Sequence, residues 1–260
     1  ETNPAALMDA AITGMLEDLD PYTHYWNEQD VETARINNSG EYTGIGATVA
    51  IRANHIIIIE PYKDYPADKA GLKAGDEIIK IDDIVVADFK ENAGELLKGA
   101  PNSKVQITFR RQGETKSTTL TRGAVEIKAV PFHQLLEGGI GYIVLSQFNR
   151  NASAETIKAL KELKEQGASS IILDLRGNPG GLLSEAINVS NIFVSEGELI
   201  TTTKSVVEKY NKSYHTTRKP VDTEIPLAIL IDGRSASASE IVAGSLQDLD
   251  RAVIIGARSF

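Results

Sequence analysis

Three serines stand at alternate positions in the segment DGRSASASEIVAG, which follows an apolar run and precedes a helical pattern: Ser235, Ser237 and Ser239. A helix N-terminus carries unpaired amides and the positive end of the helix dipole, so it favours a developing negative charge. One interpretation is a serine nucleophile whose following amide stabilises an oxyanion. The other is a polar helix cap, with Ser239 capping the helix and Glu240 in its first turn.

A second loop, DLRGNPGG at residues 174–181, is rich in glycine. Gly177, Gly180 and Gly181 surround Pro179 and leave a backbone with exposed amides and few side chains, as an oxyanion hole or an anion-binding nest requires. The segment lacks the Gly-Lys-Ser/Thr ending of a phosphate-binding loop, so nucleotide binding is not expected. Together the two loops favour the nucleophile interpretation.

A serine nucleophile needs a general base. The histidines lie in no stretch typical of a hydrolase, and we interpret them as surface or packing residues: His24, His55, His133 and His215. A lysine whose pKa is lowered by burial is the other known solution. No lysine lies between Ser237 and Phe260.

The elements that must position these loops can be read from the second half of the chain. Apolar strands are predicted at residues 140–145, 171–175, 227–231 and 253–255. Helical patterns lie between them, at residues 153–166 and 239–249 among others. This alternation predicts a mostly parallel sheet covered on both faces, with sites at the carboxyl ends of the strands. Both unusual loops follow such strands.

The first half of the chain has a different pattern. Residues 3–19 have helical spacing with Asn3 as cap. The aromatic and imidazole cluster that follows is interpreted as a packing or docking surface: Tyr22, His24, Tyr25 and Trp26. From Gly40 short strands and turns predict a compact module of about 85 residues, with a hairpin turn at Gln112-Gly113 and a helix that begins at Asp88.

Composition excludes several classes of protein. The 260 residues are 42% hydrophobic with a net charge of −9, which indicates a soluble globular protein of one to three domains without a basic surface for nucleic acid. Cysteine is absent, so disulfides and thiolate metal sites are excluded, and we expect neither metal nor cofactor. No stretch approaches the roughly 18 apolar residues of a membrane span, so no membrane insertion is expected.

Four segments resemble the carboxyl-terminal processing proteases, also called tail-specific proteases, of the S41 serine peptidase family. They are GRSASASEIVAGSLQDLDRAVIIGARSF, DLRGNPGG, GIGATV and PADKAGLKAGDEI. The resemblance runs from about Leu7 to the end of the chain. It implies a multidomain protein that combines α+β and α/β architecture: an N-terminal helical segment (1–39), a PDZ domain (40–123) and a ClpP/crotonase-like α/β catalytic domain (124–260).

The resemblance also implies a serine endopeptidase with a Ser-Lys dyad. Its nucleophile is Ser237, Ala238 supplies one oxyanion amide, and the Gly-Gly pair of the glycine-rich loop supplies the other, with Gly180 preferred and Gly181 as the alternative. The general base of the family is a lysine in a Gly-Lys-Gly segment, which is expected just past Phe260. A chain that stops at Phe260 is therefore expected to be inactive by itself.

The partners that the family implies are polypeptides with free C-terminal tails, bound by the PDZ domain without a cofactor. The setting that it implies is outside the cytoplasm, in the periplasm or at the outer face of the membrane, and it leaves monomer and homodimer both open. The segment YTGIGA resembles the carboxylate-binding loop of PDZ domains. Its residues are Tyr42, Thr43, Gly44, Ile45, Gly46 and Ala47.

Two other functions compete with this one. A non-catalytic PDZ scaffold that only binds peptides would explain the absence of a lysine after Ser237. An acyl-CoA enzyme with a crotonase-like oxyanion hole would share the sheet and both amide donors. The PDZ-like module and the serine at the nucleophile position argue against the acyl-CoA enzyme.

Overall fold

The computed structural model describes residues 4–20, 23–52, 55–89 and 92–260. The chain divides into two compact units, one of residues 41–127 and one that combines residues 1–40 with residues 128–260. The features that sequence analysis assigned to Asn3 and Tyr22 lie outside the described residues.

Two helices precede the first strand, α1 (Pro4–Leu16) and α2 (Glu28–Ser39). The helix predicted over residues 3–19 is confirmed by α1. The polar sequence of α2 gave no periodic signal, and this helix was not predicted. It ends at Gly40, whose φ of +73° is a common C-cap conformation and whose amide donates to Ile36 O at 2.8 Å. In the described part of the chain, no helix has the length and apolar composition of a membrane span.

The unit of residues 41–127 is built mainly from strands. These are β1 (Glu41–Gly44), β2 (Ala47–Arg52), β3 (His55–Pro61), β4 (Glu77–Ile81), β5 (Ile84–Val85), β6 (Lys104–Arg111), β7 (Glu114–Thr121) and β8 (Gly123–Glu126), with a one-turn helix α3 (Pro66–Lys69). One sheet has the order β2-β3-β4-β6-β7, with β5 paired to β4, and β1 pairs separately with β8. Strand β2 therefore lies at an edge of its sheet.

The core of this unit follows from the alternation of side chains along its strands. Ile56, Ile58 and Ile107 are fully buried, because each points to the same face as its neighbours two residues away. The predicted hairpin at Gln112-Gly113 is confirmed between β6 and β7. Both turn residues have positive φ, +51° and +84°, which matches the twist of a two-residue hairpin.

The helix predicted to begin at Asp88 is wrong. Two short 3-10 turns lie there instead, Val86–Asp88 and Ala93–Leu97. The second turn has its own cap, since the Asn92 side chain accepts a hydrogen bond from the amide of Gly94 at 3.0 Å. A glycine in the first turn is a poor helix former, which explains why the apolar spacing did not produce an α-helix.

The larger unit continues with five strands of one sheet, a hairpin and three helices. The elements are β9 (Phe132–Leu136), β10 (Ile140–Val144), α4 (Ala152–Glu165), β11 (Ser170–Asp174), α5 (Leu183–Phe193), β12 (Leu199–Thr203), β13 (Lys212–His215), β14 (Leu227–Ile231), α6 (Ala238–Asp248) and β15 (Val253–Gly256). The four predicted strands and both predicted helices are confirmed within a few residues.

The sheet of the larger unit has the order β15-β14-β11-β10-β9. Strands β10, β11, β14 and β15 are parallel, and β9 is antiparallel to β10 at the edge. Ile143, Leu173 and Ile229 on one face are fully buried, whereas Tyr142 and Ile172 on the other face are only partly buried. One face is therefore covered more completely than the other, in contrast to the two-sided cover that was predicted. Helix α5 packs against both α4 and α6.

A buried ion pair stabilises the smaller unit. Asp76 is 1% exposed, and its carboxylate accepts hydrogen bonds from Arg111 Nε and Nη2, both at 2.6 Å, and from the Lys73 amide at 2.8 Å. Burial alone would raise the pKa of Asp76, but the hydrogen bonds from Arg111 and Lys73 lower it below its usual value. This stabilisation is therefore present above about pH 4 and is lost as the pH falls through the lowered pKa.

Arg111→Ala is expected to destabilise the smaller unit much more than Arg110→Ala. The first change leaves the Asp76 carboxylate buried without its cation, whereas Arg110 pairs with the more exposed Glu77 at 3.2 Å. Urea unfolding measures the difference, and hydrogen exchange of the amides in β3 and β6 is the probe of unfolding in this unit. Equal shifts of the two unfolding midpoints would show that the Asp76 pair contributes no more than a surface pair.

Candidate active site

Two loops meet at the carboxyl edge of the parallel sheet. The glycine loop, residues 175–182, leaves β11, and the serine loop, residues 232–237, leaves β14. Asp232 joins them, because its Oδ1 accepts from the Gly177 amide and from the Arg234 amide, both at 2.9 Å. These amides lower the pKa of Asp232 to about 2. The carboxylate stays ionised and the loops stay joined at any pH above about 4.

The three serines of the serine-rich segment have different environments. Ser235 and Ser239 are fully buried, whereas Ser237 is exposed. Ser235 Oγ donates to Leu175 O at 2.8 Å, and Ser239 Oγ donates to Asn178 O at 3.0 Å. The outer two hydroxyls therefore bind the serine loop to the glycine loop, and the middle one faces solvent.

Ser237 has an unusual backbone conformation. Its φ of 54° and ψ of −111° lie outside the regions that residues with a side chain normally occupy. Such a conformation costs about 1–3 kcal/mol and persists only where surrounding contacts impose it. It forms the sharp turn from β14 into α6, which places the hydroxyl of Ser237 at the start of the helix, as in a nucleophile elbow.

The interpretation of Ser239 as the cap of the following helix is wrong. The cap is Ser237, and its amide donates to Glu240 Oε2 at 2.8 Å. Ser239 lies inside the first turn of α6, and its hydroxyl is used in the bond to the glycine loop. A capping box with glutamate three residues after the cap was the sequence signal that could have identified Ser237.

The glycine loop approaches Ser237 so closely that only glycine fits. A Cβ on Gly180 would lie 2.8 Å from both Ala236 O and the Cβ of Ser237, and 3.0 Å from the amide nitrogen of Ala238. A Cβ on Gly181 would lie 2.5 Å from Phe148 O. Both glycines have positive φ. Gly180 therefore lies against Ser237, and Gly181 lies against the backbone of Phe148.

The two glycine amides differ in their hydrogen bonds. The Gly180 amide donates to Asn178 Oδ1 at 2.9 Å. Gly181 forms a parallel bridge with Phe148, but the bonds of that bridge are Phe148 N to Gly180 O at 2.9 Å and Leu182 N to Phe148 O at 2.8 Å. The bridge therefore leaves the amide of Gly181 unused, whereas the amide of Gly180, the preferred donor in the sequence interpretation, is already bonded.

A buried cluster that the sequence patterns did not reveal lies at the base of the glycine loop. The carboxylate of Asp174 is 4% exposed and accepts from Arg176 Nη2 at 2.7 Å and from the hydroxyl of Tyr142. Burial alone would raise the pKa of Asp174, but Arg176 and Tyr142 lower it, and burial together with Asp174 raises the pKa of Tyr142. A charged residue at the end of a buried strand was the signal that could have revealed this cluster.

The last residues of the chain run beside the serine loop. Ser259 Oγ donates to Glu240 Oε1 at 2.8 Å, and the amide of Phe260 donates to Ser235 O at 3.0 Å. Glu240 thus bonds both to the Ser237 amide and to the segment after β15. Of the histidines considered as bases, His133 pairs with Glu162 at 2.8 Å, and His24 and His215 are exposed.

The predicted carboxylate-binding loop lies in the smaller unit. Tyr42, Thr43 and Gly44 belong to β1, Ile45 and Gly46 connect the strands, and Ala47 begins β2. Ile45 O accepts from the Ala67 amide at 2.7 Å, and Gly46 O accepts from the Tyr62 amide at 2.9 Å. These bonds fix the carbonyls of the loop next to the open edge of β2.

Comparison with known proteins identifies both units. Residues 139–260 match the family model of peptidase family S41, and residues 43–121 match that of the PDZ domain. The carboxy-terminal-processing protease of Bartonella bacilliformis is 38% identical over 98% of this chain and 59% of its own length. The structure named photosystem II D1 C-terminal processing protease is 30% identical, with a TM-score of 0.53 over all of this chain and 72% of that one.

The chain belongs to peptidase family S41. The carboxy-terminal processing protease CtpA of Bacillus subtilis, 32% identical over all of this chain and 56% of its own length, is another relative. The chain spans between half and three fifths of these curated relatives. Membership of family S41 confirms the predicted fold class, a PDZ domain with a protease domain of mixed helices and sheets. It argues against the acyl-CoA enzyme.

Gly180→Ala is expected to destabilise the larger unit by about 1–3 kcal/mol more than Gly177→Ala. Both glycines have positive φ, but the new methyl group would clash with backbone atoms only at Gly180, since the nearest atom to a Cβ at Gly177 is the Arg234 side chain at 3.6 Å. Urea unfolding compares the two variants. Equal loss of stability would mean that the loop does not pack on Ser237 as described.

Ser237→Gly is expected to be more stable than Ser237→Ala by about 1 kcal/mol. Both changes remove the hydroxyl, but only glycine relieves the strain at a φ of 54°. Thermal unfolding of the two variants is the measurement. An alanine variant at least as stable as the glycine variant would show that the conformation of Ser237 is not strained.

Proposed function

We propose that this chain is the peptide-binding and nucleophile-bearing part of a carboxyl-terminal processing serine protease. Ser237 is the nucleophile that attacks the carbonyl of a peptide bond in a polypeptide substrate. The PDZ domain binds the free C-terminal tail of that substrate. No cofactor takes part in this reaction.

The observation that carries the proposal is the contrast between the three serines. Two hydroxyls of this segment are buried and bonded to carbonyls of the glycine loop, while the hydroxyl of Ser237 is exposed on a strained backbone. Strain at a single exposed hydroxyl residue, against which Gly180 packs, is typical of a catalytic site. Ser237 also caps α6, but a cap alone would need neither the positive φ nor the close approach of Gly180.

Two amides can stabilise the oxyanion that forms during the attack. Ala238 is the first residue of α6, where amides lack partners within the helix and the helix dipole is positive. Gly181 is the second donor, because the amide of Gly180 is already bonded to Asn178 Oδ1. Each oxyanion donor in such a site contributes on the order of a hundredfold or more to the rate.

The general base is the lysine that the family resemblance places just past Phe260. The bonds of Ser259 to Glu240 and of Phe260 to Ser235 support this assignment, since they bring the chain to the serine loop at that point. The lysine takes the proton of the Ser237 hydroxyl as Oγ attacks the carbonyl carbon, and it returns that proton to the leaving amine. Water then hydrolyses the acyl-enzyme by the same route.

The tail-binding role rests on the PDZ domain. In domains of this type an extended peptide adds to an exposed sheet edge and its terminal carboxylate binds to backbone amides. The open edge of β2 and the neighbouring loop from Tyr42 to Ala47 supply both features. We also propose a setting outside the cytoplasm, in the periplasm or at the outer face of the membrane, which is the usual setting of the family.

The test uses the chain extended by its natural continuation past Phe260 and a fluorophosphonate that labels active serines. The extended protein is expected to be labelled at Ser237, identified by peptide mass spectrometry, and the extended Ser237→Ala variant is expected to lose the label. Ser205→Ala is the matched control, because Ser205 is an exposed serine on a different loop and its loss should leave labelling unchanged.

Replacement of the lysine nearest to Phe260 in the continuation is expected to lower the rate of labelling by at least about a hundredfold, because general-base catalysis contributes on that scale. A continuation without a lysine in the first few residues, or a folded extended protein that is not labelled, would reject the protease. The remaining function would then be the non-catalytic peptide-binding scaffold.

A further inference from the structure

The end of helix α2 packs directly on the segment that precedes α4. The amide of Arg150 donates to Asn38 O at 3.0 Å. Gly40 lies against the side chain of Asn149, because a Cβ on this glycine would be 2.5 Å from Asn149 Nδ2 and 2.8 Å from Asn149 Cγ. Both Gly40 and Asn149 are buried. The contact therefore has no room for one additional methyl group.

The residue before Asn149 determines the direction of the Gly181 amide. The amide of Phe148 donates to Gly180 O at 2.9 Å, and Phe148 O accepts from the amide of Leu182 at 2.8 Å. Gly180 O and the amide of Gly181 belong to one peptide unit, and in a planar trans peptide these two groups point in opposite directions. The bond from Phe148 therefore turns the Gly181 amide away from Phe148 and holds it there.

The segment of residues 148–150 is anchored at both of its ends. Before it, Leu145 is fully buried and its carbonyl accepts from Asn178 Nδ2 at 2.8 Å. After it, the amide of Ser153 donates to the buried carboxylate of Glu185 at 2.8 Å, in the first turn of α5. A displacement of Asn149 is therefore taken up between these anchors, where the segment bonds to the glycine loop.

Helix α2 resists displacement in the opposite direction. Ile36, one turn before Gly40, is 6% exposed, whereas Val31 of the same helix is 54% exposed. The Gly40 amide closes the helix on Ile36 O at 2.8 Å, and Asn38 O is held by the amide of Arg150. A group inserted between Gly40 and Asn149 is thus expected to move the segment of residues 148–150 rather than the helix.

We propose that the end of α2 positions the oxyanion site, because Gly40 packs on Asn149 and thereby fixes the peptide plane that carries the Gly181 amide. Gly40 and Asn149 act through Phe148 and are positioning residues. The inference rests on the proposed function, in which the Gly181 amide is an oxyanion donor. It adds to that function a determinant of the rate that lies outside the glycine and serine loops.

The test compares Gly40→Ala with Gly138→Ala in the chain extended past Phe260. Both changes place alanine at nearly the same positive φ, +73° and +77°, but nothing lies within 4 Å of a Cβ at Gly138. Backbone strain is therefore matched, and only Gly40→Ala pushes on Asn149. Gly40→Ala is expected to lower the rate constant for fluorophosphonate labelling of Ser237 by about tenfold, because a small misplacement of a donor costs on that scale. Gly138→Ala is expected to keep the wild-type rate.

The rate constant and the final extent of labelling separate positioning from stability. Partial unfolding lowers the fraction of molecules that can be labelled, whereas a misplaced donor slows the labelling of all of them. Gly40→Ala is expected to reach the same final extent as the wild type at a lower rate. A reduced extent with an unchanged rate constant would show that the contact is structural only, and the positioning role would be rejected.

Asn149→Ser tests whether the effect passes through Asn149. Serine removes the amide group that the new methyl would meet, and its hydroxyl can still accept from the Asn151 amide, which now bonds to Asn149 Oδ1 at 2.9 Å. Asn149→Ser loosens the contact without a clash and is expected to slow labelling by about threefold, which tests the proposal even if Gly40→Ala does not fold. Adding Gly40→Ala to Asn149→Ser is expected to slow labelling by less than about twofold more, since the two sites are coupled.

The amide resonance of Gly181 in ¹⁵N-resolved NMR spectra gives a readout that needs no reagent. It is expected to shift in Gly40→Ala and to stay in place in Gly138→Ala. If the wild type is labelled but Gly40→Ala changes neither the rate nor this resonance, the positioning role is rejected and the protease stands. A full tenfold effect of Gly40→Ala on top of Asn149→Ser also rejects it. If the folded wild type is not labelled, the protease fails and the positioning role fails with it.

Discussion

The strained backbone of Ser237 is held from both sides by one buried residue, Asn178. Its carbonyl oxygen accepts from the Ala236 amide at 3.1 Å and from the Ser239 hydroxyl at 3.0 Å, the residues that flank Ser237. Its side chain accepts from Gly180 at 2.9 Å and donates to Leu145 O at 2.8 Å. Hydrogen bonds of about 1 kcal/mol each are enough to offset a strain of about 1–3 kcal/mol. The conformation of Ser237 is thus imposed by the glycine loop.

This constraint depends on the parallel sheet. Strands β11 and β14 are neighbours, so the loops that follow them leave the same edge side by side. The register pairs Asp174 with Leu230, and the next bond, Leu175 N to Leu230 O at 2.9 Å, carries the pairing one residue beyond β11. An antiparallel pair would place the two loops at opposite ends. The alternation of apolar strands and helices was therefore sufficient to predict that the serines and glycines come together.

The roles within the site could be predicted only in part. Residue types and spacing identified a serine-rich helix start and a glycine loop, but serines two residues apart differ only in which way each side chain points. In the structure Ser237 has a positive φ and an exposed side chain, whereas Ser235 and Ser239 are buried. The ion pair of Asp174 with Arg176 was not predicted, because both residues lie in a segment that was interpreted from its backbone alone.

The carboxylate of Glu240 determines which of the first amides of α6 is left for the proposed oxyanion. A helix leaves its first four amides without partners inside the helix. Here Glu240 accepts from the Ser237 amide, and the carbonyl of Ala236 accepts from the Ser239 amide at 3.1 Å. The amides on either side of Ala238 are therefore already bonded.

A negative charge in the first turn stabilises the helix dipole but would repel a second negative charge nearby. Glu240 uses one oxygen on the Ser237 amide and the other on the Ser259 hydroxyl, so both of its oxygens are directed toward donors other than Ala238. The capping arrangement thus leaves aside the amide of Ala238, the proposed oxyanion donor, and the same glutamate bonds to the segment after β15.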